Sequence, residues 1–231
     1  MNILAIDTSN QVLGIAITRD GELVGELITN VKRNHSVRLM PAINQLMKET
    51  NVRPEDLNKI VVAKGPGSYT GVRIGLSTAK TMAWALQIPV VGVSSLELLA
   101  YQGVLSNSLV CPFFDARRGL VYTGLYQADA KGKLELVEKE TNVLFQEWLI
   151  KLRDRQQHVL FFSPDMAIHQ SAIEETMGMS AIIDPINQIS RPSVLAYIGG
   201  NKQPDELHKL TPNYLRLAEA EAKWMEQQGK E

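Results

Sequence analysis

One cysteine in 231 residues, 6% aromatic side chains and a formal net charge of −1 exclude several kinds of protein at once. A single thiol forms no internal disulfide, so the fold rests on a packed core and not on covalent staples. Cys111 lies within Leu109-Val110-Cys111-Pro112-Phe113-Phe114, which reads as a buried small hydrophobe in a reducing, cytoplasmic setting. Charge is balanced, with 24 Lys plus Arg against 25 Asp plus Glu, and no long cationic block supplies a strong electrostatic footprint for nucleic acid. No apolar run approaches the roughly 20 residues of a spanning helix, and the N-terminus lacks the basic segment and cleavage site of a signal peptide; a soluble, unprocessed protein with no membrane partner is expected. The four histidines, His35, His158, His169 and His208, never fall at short metal-ligand spacing, so no metal site is expected.

What the chain does have is glycine in an informative place. Lys59-Ile60-Val61-Val62-Ala63 reads as a buried strand, and Lys64-Gly65-Pro66-Gly67-Ser68 as a tight turn ahead of a helix beginning near Thr70. A phosphate-binding P-loop would place Lys and Ser/Thr after the second glycine, yet Val72 and Arg73 follow Gly71, so that match fails. The turn either holds an anion at the helix N-terminus or serves only as a strand-to-helix connection. Along the helix, Gly71, Gly75, Ala79 and Ala83 recur at i, i+4, a stripe almost without side chains that another backbone can approach.

Before this region, residues 3–6, 12–18 and 23–29 read as three strands, the last two joined by the hairpin signal Asp20-Gly21. Val37, Leu39, Met40, Ile43, Leu46 and Met47 have helical spacing over 36–50. Residues 89–93 predict a strand, with Ser94 or Ser95 capping a short helix. The order is β-β-β-α-β-α-β-α. It starts again with strands at 109–114, 120–127 and 134–137, a helix over 145–154, a strand over 158–162 and a helix over 168–177. The expected domains are 1–105, a shorter second echo over 106–205, and a tail over 206–231 whose segment 218–227 returns to the first domain.

This duplicated plan, with Ile6-Asp7-Thr8-Ser9 after the first strand, resembles the actin, sugar-kinase and heat-shock ATPase superfamily: an α/β, ribonuclease H-like fold of two similar βββαβα domains, the second shortened. The block Gly65-Pro66-Gly67-Ser68-Tyr69-Thr70-Gly71-Val72-Arg73-Ile74-Gly75, together with Leu4-Ala5-Ile6-Asp7-Thr8-Ser9, His35-Ser36, Asp115-Ala116-Arg117-Arg118 and Tyr214-Leu215-Arg216, is similar to the TsaB (YeaZ) family. The resemblance implies a required, non-catalytic subunit that pairs with the catalytic relative TsaD. It acts in the machinery placing threonylcarbamoyl on tRNA, alongside the ATPase TsaE, with tRNA reached through the complex. In that relative two histidines four residues apart on a helix hold a metal; here Ser95 and Leu99 stand at the corresponding segment.

A partner interface is therefore expected on the two first-domain helices, at His35, Val37, Leu39, Met40, Ile43 and Met47 on one, and at Gly71, Val72, Arg73, Gly75, Leu76, Ala79 and Ala83 on the other; alone, the same seam would make a homodimer. Nucleotide or anion contacts are expected at Asp7, Thr8, Ser9, Gly65, Gly67, Ser68, Arg117 and Arg118. No intrinsic cofactor is expected, with a nucleotide at a shared interface left open. Against a local role for Asp7 in capping amides stands an alternative function as a nucleotide-using ATPase or small-molecule kinase. The turn Asp7-Thr8-Ser9-Asn10 lacks the glycine that close phosphate approach requires. A glycoprotease-like peptidase ranks third, since neither a zinc motif nor a nucleophile context is present.

Overall fold

A computed structural model describes residues 1–31 and 34–215. The chain opens with three antiparallel strands, β1 (Asn2–Asp7), β2 (Val12–Arg19) and β3 (Glu22–Asn30). Asp20 and Gly21, with φ of 52° and 88°, form the turn that joins β2 to β3, the positive angles that Asp-Gly supplies readily. Helix α1 (His35–Glu49) follows, then β4 (Leu57–Ala63), α2 (Tyr69–Leu86), β5 (Val90–Val93) and α3 (Ser95–Ala100). Both principal helix starts have side-chain caps: Asn34 accepts from the Ser36 amide, and Ser68 from the Gly71 amide. The strands form one sheet in the order β3-β2-β1-β4-β5, with β4 and β5 parallel to β1.

The second half repeats the order with β6 (Leu109–Asp115), β7 (Leu120–Ala128), β8 (Leu134–Leu144), α4 (Phe145–Arg153), β9 (Val159–Phe162), α5 (Met166–Met177), β10 (Ala181–Ile183) and α6 (Pro192–Gly200). Its sheet runs β10-β9-β6-β7-β8, the mirror listing of the first. Strand β10 and helix α6 have no counterpart in the sequence reading, and β8 extends well past residue 137. The second sheet therefore has all five strands, and what is short is its helices.

Alternation along β1 explains how the first sheet is covered on both faces. Leu4 and Ile6 face α1 and α2, packing with Leu39, Ile43, Leu76 and Ala79. Ile3 and Ala5 face the opposite way, onto Leu195, Ala196 and Ile198 of α6. Helix α6 thus crosses from the second half to the first at residue 192. Gly199 makes this possible: a Cβ there would lie 2.2 Å from Val61 Cγ1. The Lys59 ammonium reaches the Gly200 carbonyl at 3.0 Å and closes the helix C-terminus. Gly199-Gly200 is therefore a packing and capping feature. In exchange, Leu96, Leu99 and Ala100 of α3 pack under the second sheet against Val110, Phe114 and Phe162.

Residues 205–213 then run along the first sheet. The Asp205 amide donates to the Val90 carbonyl, the Gly92 amide to the Asp205 carboxylate, and the Asn213 amide to the Lys64 carbonyl. The predicted tail helix at 218–227 lies outside the described residues, as does Arg216.

Candidate functional site

Between the two sheets lies a cleft of about 810 Å³, bordered by Asn10, His35, Tyr69 and Thr70 on one side and by Asp115, Arg117 and Tyr122 on the other. The first loop facing it, after β1, is closed by its own bonds. Asp7 is 1% exposed, and its Oδ1 accepts from the Ser9 amide and hydroxyl while Oδ2 accepts from the Ser190 hydroxyl at 2.7 Å. Thr8 donates its hydroxyl to the Gly71 carbonyl at 2.7 Å, and the Ser68 amide donates to the Ser9 carbonyl at 2.7 Å. The Gly65 amide donates to Ser95 Oγ, and Ser95 returns its amide to the Gly65 carbonyl.

A Cβ on Gly67 would lie 2.0 Å from the Ser9 carbonyl oxygen, and one on Gly71 would lie 2.2 Å from the Thr8 carbonyl oxygen. The glycines of the turn bring helix α2 onto the β1–β2 loop, where a phosphate would need that loop's donors free. Asp7, Thr8, Ser9, Gly65, Gly67 and Ser68 converge as expected, but the bonds they make are with one another and with the chain. These residues do not fit a nucleotide phosphate.

The loop of the second half differs. Asp115 Oδ1 pairs with His169 Nε2 at 3.0 Å, and Oδ2 accepts from the Arg117 amide at 3.1 Å. Asp165 Oδ2 accepts from the Asp115 amide at 2.9 Å. Burial, reinforced by the Asp115 charge, raises the Asp165 carboxyl above its usual range. His169 is 8% exposed and sits edge-on to Phe113 and Phe145. Arg117 and Arg118 are exposed at the tip, with φ of 64° and 55°. At the far side of the cleft, the carbonyl of Asn10 accepts from His35 Nε2 at 2.9 Å, which leaves Nδ1 buried without a partner. Among the described residues, no three His, Cys, Asp or Glu side chains gather as metal ligands.

The expected partner face needs a larger correction. Leu39, Ile43 and Met47 are buried in the core of their own domain, and so are Gly71, Val72, Gly75, Leu76, Ala79 and Ala83. A Cβ on Gly75 would meet Thr8 Oγ1 at 2.5 Å, with Ile6 and Val62 behind it. The small stripe therefore packs on the helix's own sheet. The reason is general: periodicity reveals the apolar face of an amphipathic helix, and that face goes first to the nearest core.

What α1 and α2 leave outside includes two of the expected residues, Val37 at 67% exposure and Met40 at 49%, and adds Trp84 at 61%. Trp84 was missed, although it stands alone on the polar stripe Arg73, Ser77 and Thr81, where a large apolar residue is the signal. Arg73 is exposed, its guanidinium 3.8 Å above the Tyr69 ring and bonded to the Tyr214 hydroxyl at 2.6 Å.

A half-buried polar cluster around the buried Tyr126 joins the halves. Glu140 on β8 accepts from the Ser94 hydroxyl, from the Tyr126 hydroxyl at 2.6 Å and from the Asn213 amide group at 3.0 Å. Burial and the Glu140 charge push the Tyr126 hydroxyl far above its usual value. Because Ser94 caps α3 and Asn213 is tied to Lys64, one carboxylate links the second sheet to the glycine turn of the first.

Comparison with known proteins agrees with this architecture. The profile of the family described as TsaD: tRNA N6-adenosine threonylcarbamoyltransferase matches residues 22–224. The tRNA threonylcarbamoyladenosine biosynthesis protein TsaB of Bacillus subtilis is 52% identical, over 99% of this chain and 100% of the relative. The Escherichia coli protein of the same name is 33% identical over 64% of this chain and 70% of its own. A solved structure called YeaZ from Pseudomonas aeruginosa superposes with a TM-score of 0.75 at 25% identity, covering 93% of this chain and 99% of that one.

Proposed function

The chain belongs to the TsaB family of tRNA threonylcarbamoyladenosine biosynthesis proteins, and from this we propose that it is a non-catalytic subunit of the tRNA-modifying complex, pairing through α1 and α2 with the catalytic relative TsaD. The observation that carries the reading is the apolar set Val37, Met40 and Trp84, left in solvent on two adjacent helices whose core faces are already filled. A tryptophan and a methionine in such a position suit the centre of a protein interface.

The choice of partner follows from the chain's own ancestry. A catalytic relative built on the same plan, as the match of this sequence to the TsaD profile implies, would present the equivalent helix pair, so two like faces could meet as a four-helix seam. Without that relative, two copies of this chain would pair by the same face. The first loop supports the non-catalytic assignment, because its hydroxyls and carboxylate are occupied within the fold and are not free to hold a reacting phosphate. The ATPase TsaE and the tRNA substrate would join the assembled pair.

The test is reconstitution of threonylcarbamoyl transfer with TsaD and the remaining pathway proteins, with and without this chain, reading modified adenosine by mass spectrometry. Modification that depends on the chain is the expected result. Equal modification in its absence would overturn the proposal.

A further inference from the structure

The walls of the cleft between the halves are already being covered where the described chain ends. Tyr214 lays its ring on Tyr69, with centroids 5.7 Å apart, and its hydroxyl accepts from the Arg73 guanidinium at 2.6 Å. Leu215 packs onto the buried group that contains Leu96, Phe114 and Phe162, and Tyr122 packs onto the same group. Tyr69 borders the cleft from the first half, and Phe114 and Tyr122 border it from the second. The strap that starts at Asp205 therefore reaches Leu215 with both walls beside it. Residue 216 begins at the edge of the cleft.

The 16 residues 216–231 follow. Within them Leu217, Ala220, Trp224 and Met225 fall at i, i+3, i+7 and i+8, the spacing of one apolar helical face, with Glu219, Lys223 and Glu226 spaced to the other side. From Leu217 to Trp224 such a face spans about 10 Å. The cleft, at about 810 Å³, is of the same scale, and Ile74, Ala116 and Tyr122 stand half-exposed on its walls as apolar surface for that face to cover. Charge agrees. Glu221 is the acid whose spacing sets it among the apolar positions, and Arg117, at the tip of the β6–β7 turn, is the cation bordering the cleft. Tethering decides between occupants of similar chemistry: a segment joined to the wall at residue 215 is present there at an effective concentration of the order of millimolar, well above that of a second copy or a separate partner in dilute solution.

We propose that residues 216–231 fold back across the cleft between the halves as an intramolecular strap, with Leu217 and Trp224 seated against Ile74, Ala116 and Tyr122, and Glu221 turned to Arg117. The cleft is then closed from within, and any ligand or partner reaches it only by displacing the strap. This goes beyond the subunit reading and does not rest on it, because the isolated chain is sufficient for the test.

Hydrogen exchange of the full-length chain, read by mass spectrometry, compares wild type with the double variant Leu217→Ala, Trp224→Ala. Amides on the two lips of the cleft, at 68–70 and 116–119, should exchange several-fold faster in the variant, while those of β8 over 134–144, away from the cleft, keep their wild-type rates. Trp224→Phe alone should retain most of the protection, since it keeps an aromatic anchor. Wild-type rates at both lips in the double variant would overturn the proposal, and so would acceleration that spreads through β8, which would make the segment a general support of the fold. The measurement is repeated at a tenfold lower chain concentration. Protection should not change; protection that weakens on dilution would overturn the strap and assign the cleft to the segment of a second copy.

Discussion

Gly75→Ala is the substitution that best separates a core role from an interface role for the small stripe on α2. The new methyl group would sit 2.5 Å from Thr8 Oγ1, against a normal contact of about 3.4 Å, with Ile6 and Val62 at 3.7 Å leaving little room to turn aside. Overpacking of this kind costs about 1–3 kcal/mol. Displacing Thr8 also weakens its buried bond to the Gly71 carbonyl, about 1 kcal/mol more. Alanine recovers about 1 kcal/mol through helix propensity. The net is a loss of about 1–3 kcal/mol, which for a chain of this size lowers the melting temperature by roughly 5 °C.

Thermal unfolding followed by circular dichroism reads the effect, and Thr8→Ala provides the internal control. Removing the hydroxyl that the methyl group meets should make the double variant less destabilised than the two single losses added, by about 1 kcal/mol. Association with TsaD should fall only as far as folding falls. An unchanged or raised melting temperature with lost association would refute the reasoning and place the stripe in the partner seam.

The outer face predicts the opposite pattern. Trp84→Ala should leave stability within about 0.5 kcal/mol, because the side chain is largely exposed, yet weaken pairing with TsaD about 30-fold by titration calorimetry. Met40→Ala should act in the same direction more weakly, and normal pairing by both variants would remove this face as the interface. Cys111, fully buried beside Thr123 and the Trp148 indole, has its thiol pushed up to about 11 by burial, so it should resist a thiol reagent at pH 8 until denaturant is added. Rapid native labelling would contradict that packing. Asp165 has its carboxyl raised in the folded state, first by burial and then by Asp115, so its contribution to stability is present below the unfolded value of about 4 and is lost as pH rises through the folded one. Asp165→Asn keeps an acceptor for the Asp115 amide and should therefore melt higher than wild type at pH 7, with the gap closing as pH falls towards 4; a gap of constant size would show that titration of Asp165 is not its source.

Much of the architecture was legible in local chemistry. Asp20-Gly21 specifies its hairpin through positive φ, Ser94 announces the helix it caps, and β-branched runs mark β4 and β5. Apolar periodicity placed α1 and α2 to within a residue or so at their N-termini. The three-residue β10 is too short for any pattern to register, and Pro192–Gly200 is almost uniformly apolar, so it shows no amphipathic period to count. That uniformity has a cause in the fold, because α6 lays Leu195, Ala196 and Ile198 on the first sheet against Ile3, Ala5 and Val61.

The sequence by itself determined the strand and helix order as far as α5, the duplication, the failure of the P-loop pattern and the isolation of Cys111. Those properties depend on neighbours along the chain, where spacing and backbone preference act directly. Tertiary structure alone decided what each apolar or polar group faces. It turned the Gly71–Ala83 stripe inward onto Thr8, left Trp84 outside, joined His169 to Asp115 across 54 positions and closed Asp7 with Ser190 across 183. Periodicity states that a helix has an apolar side, but only the competition among sheet, neighbouring helix and solvent for that side settles which residues remain for a partner.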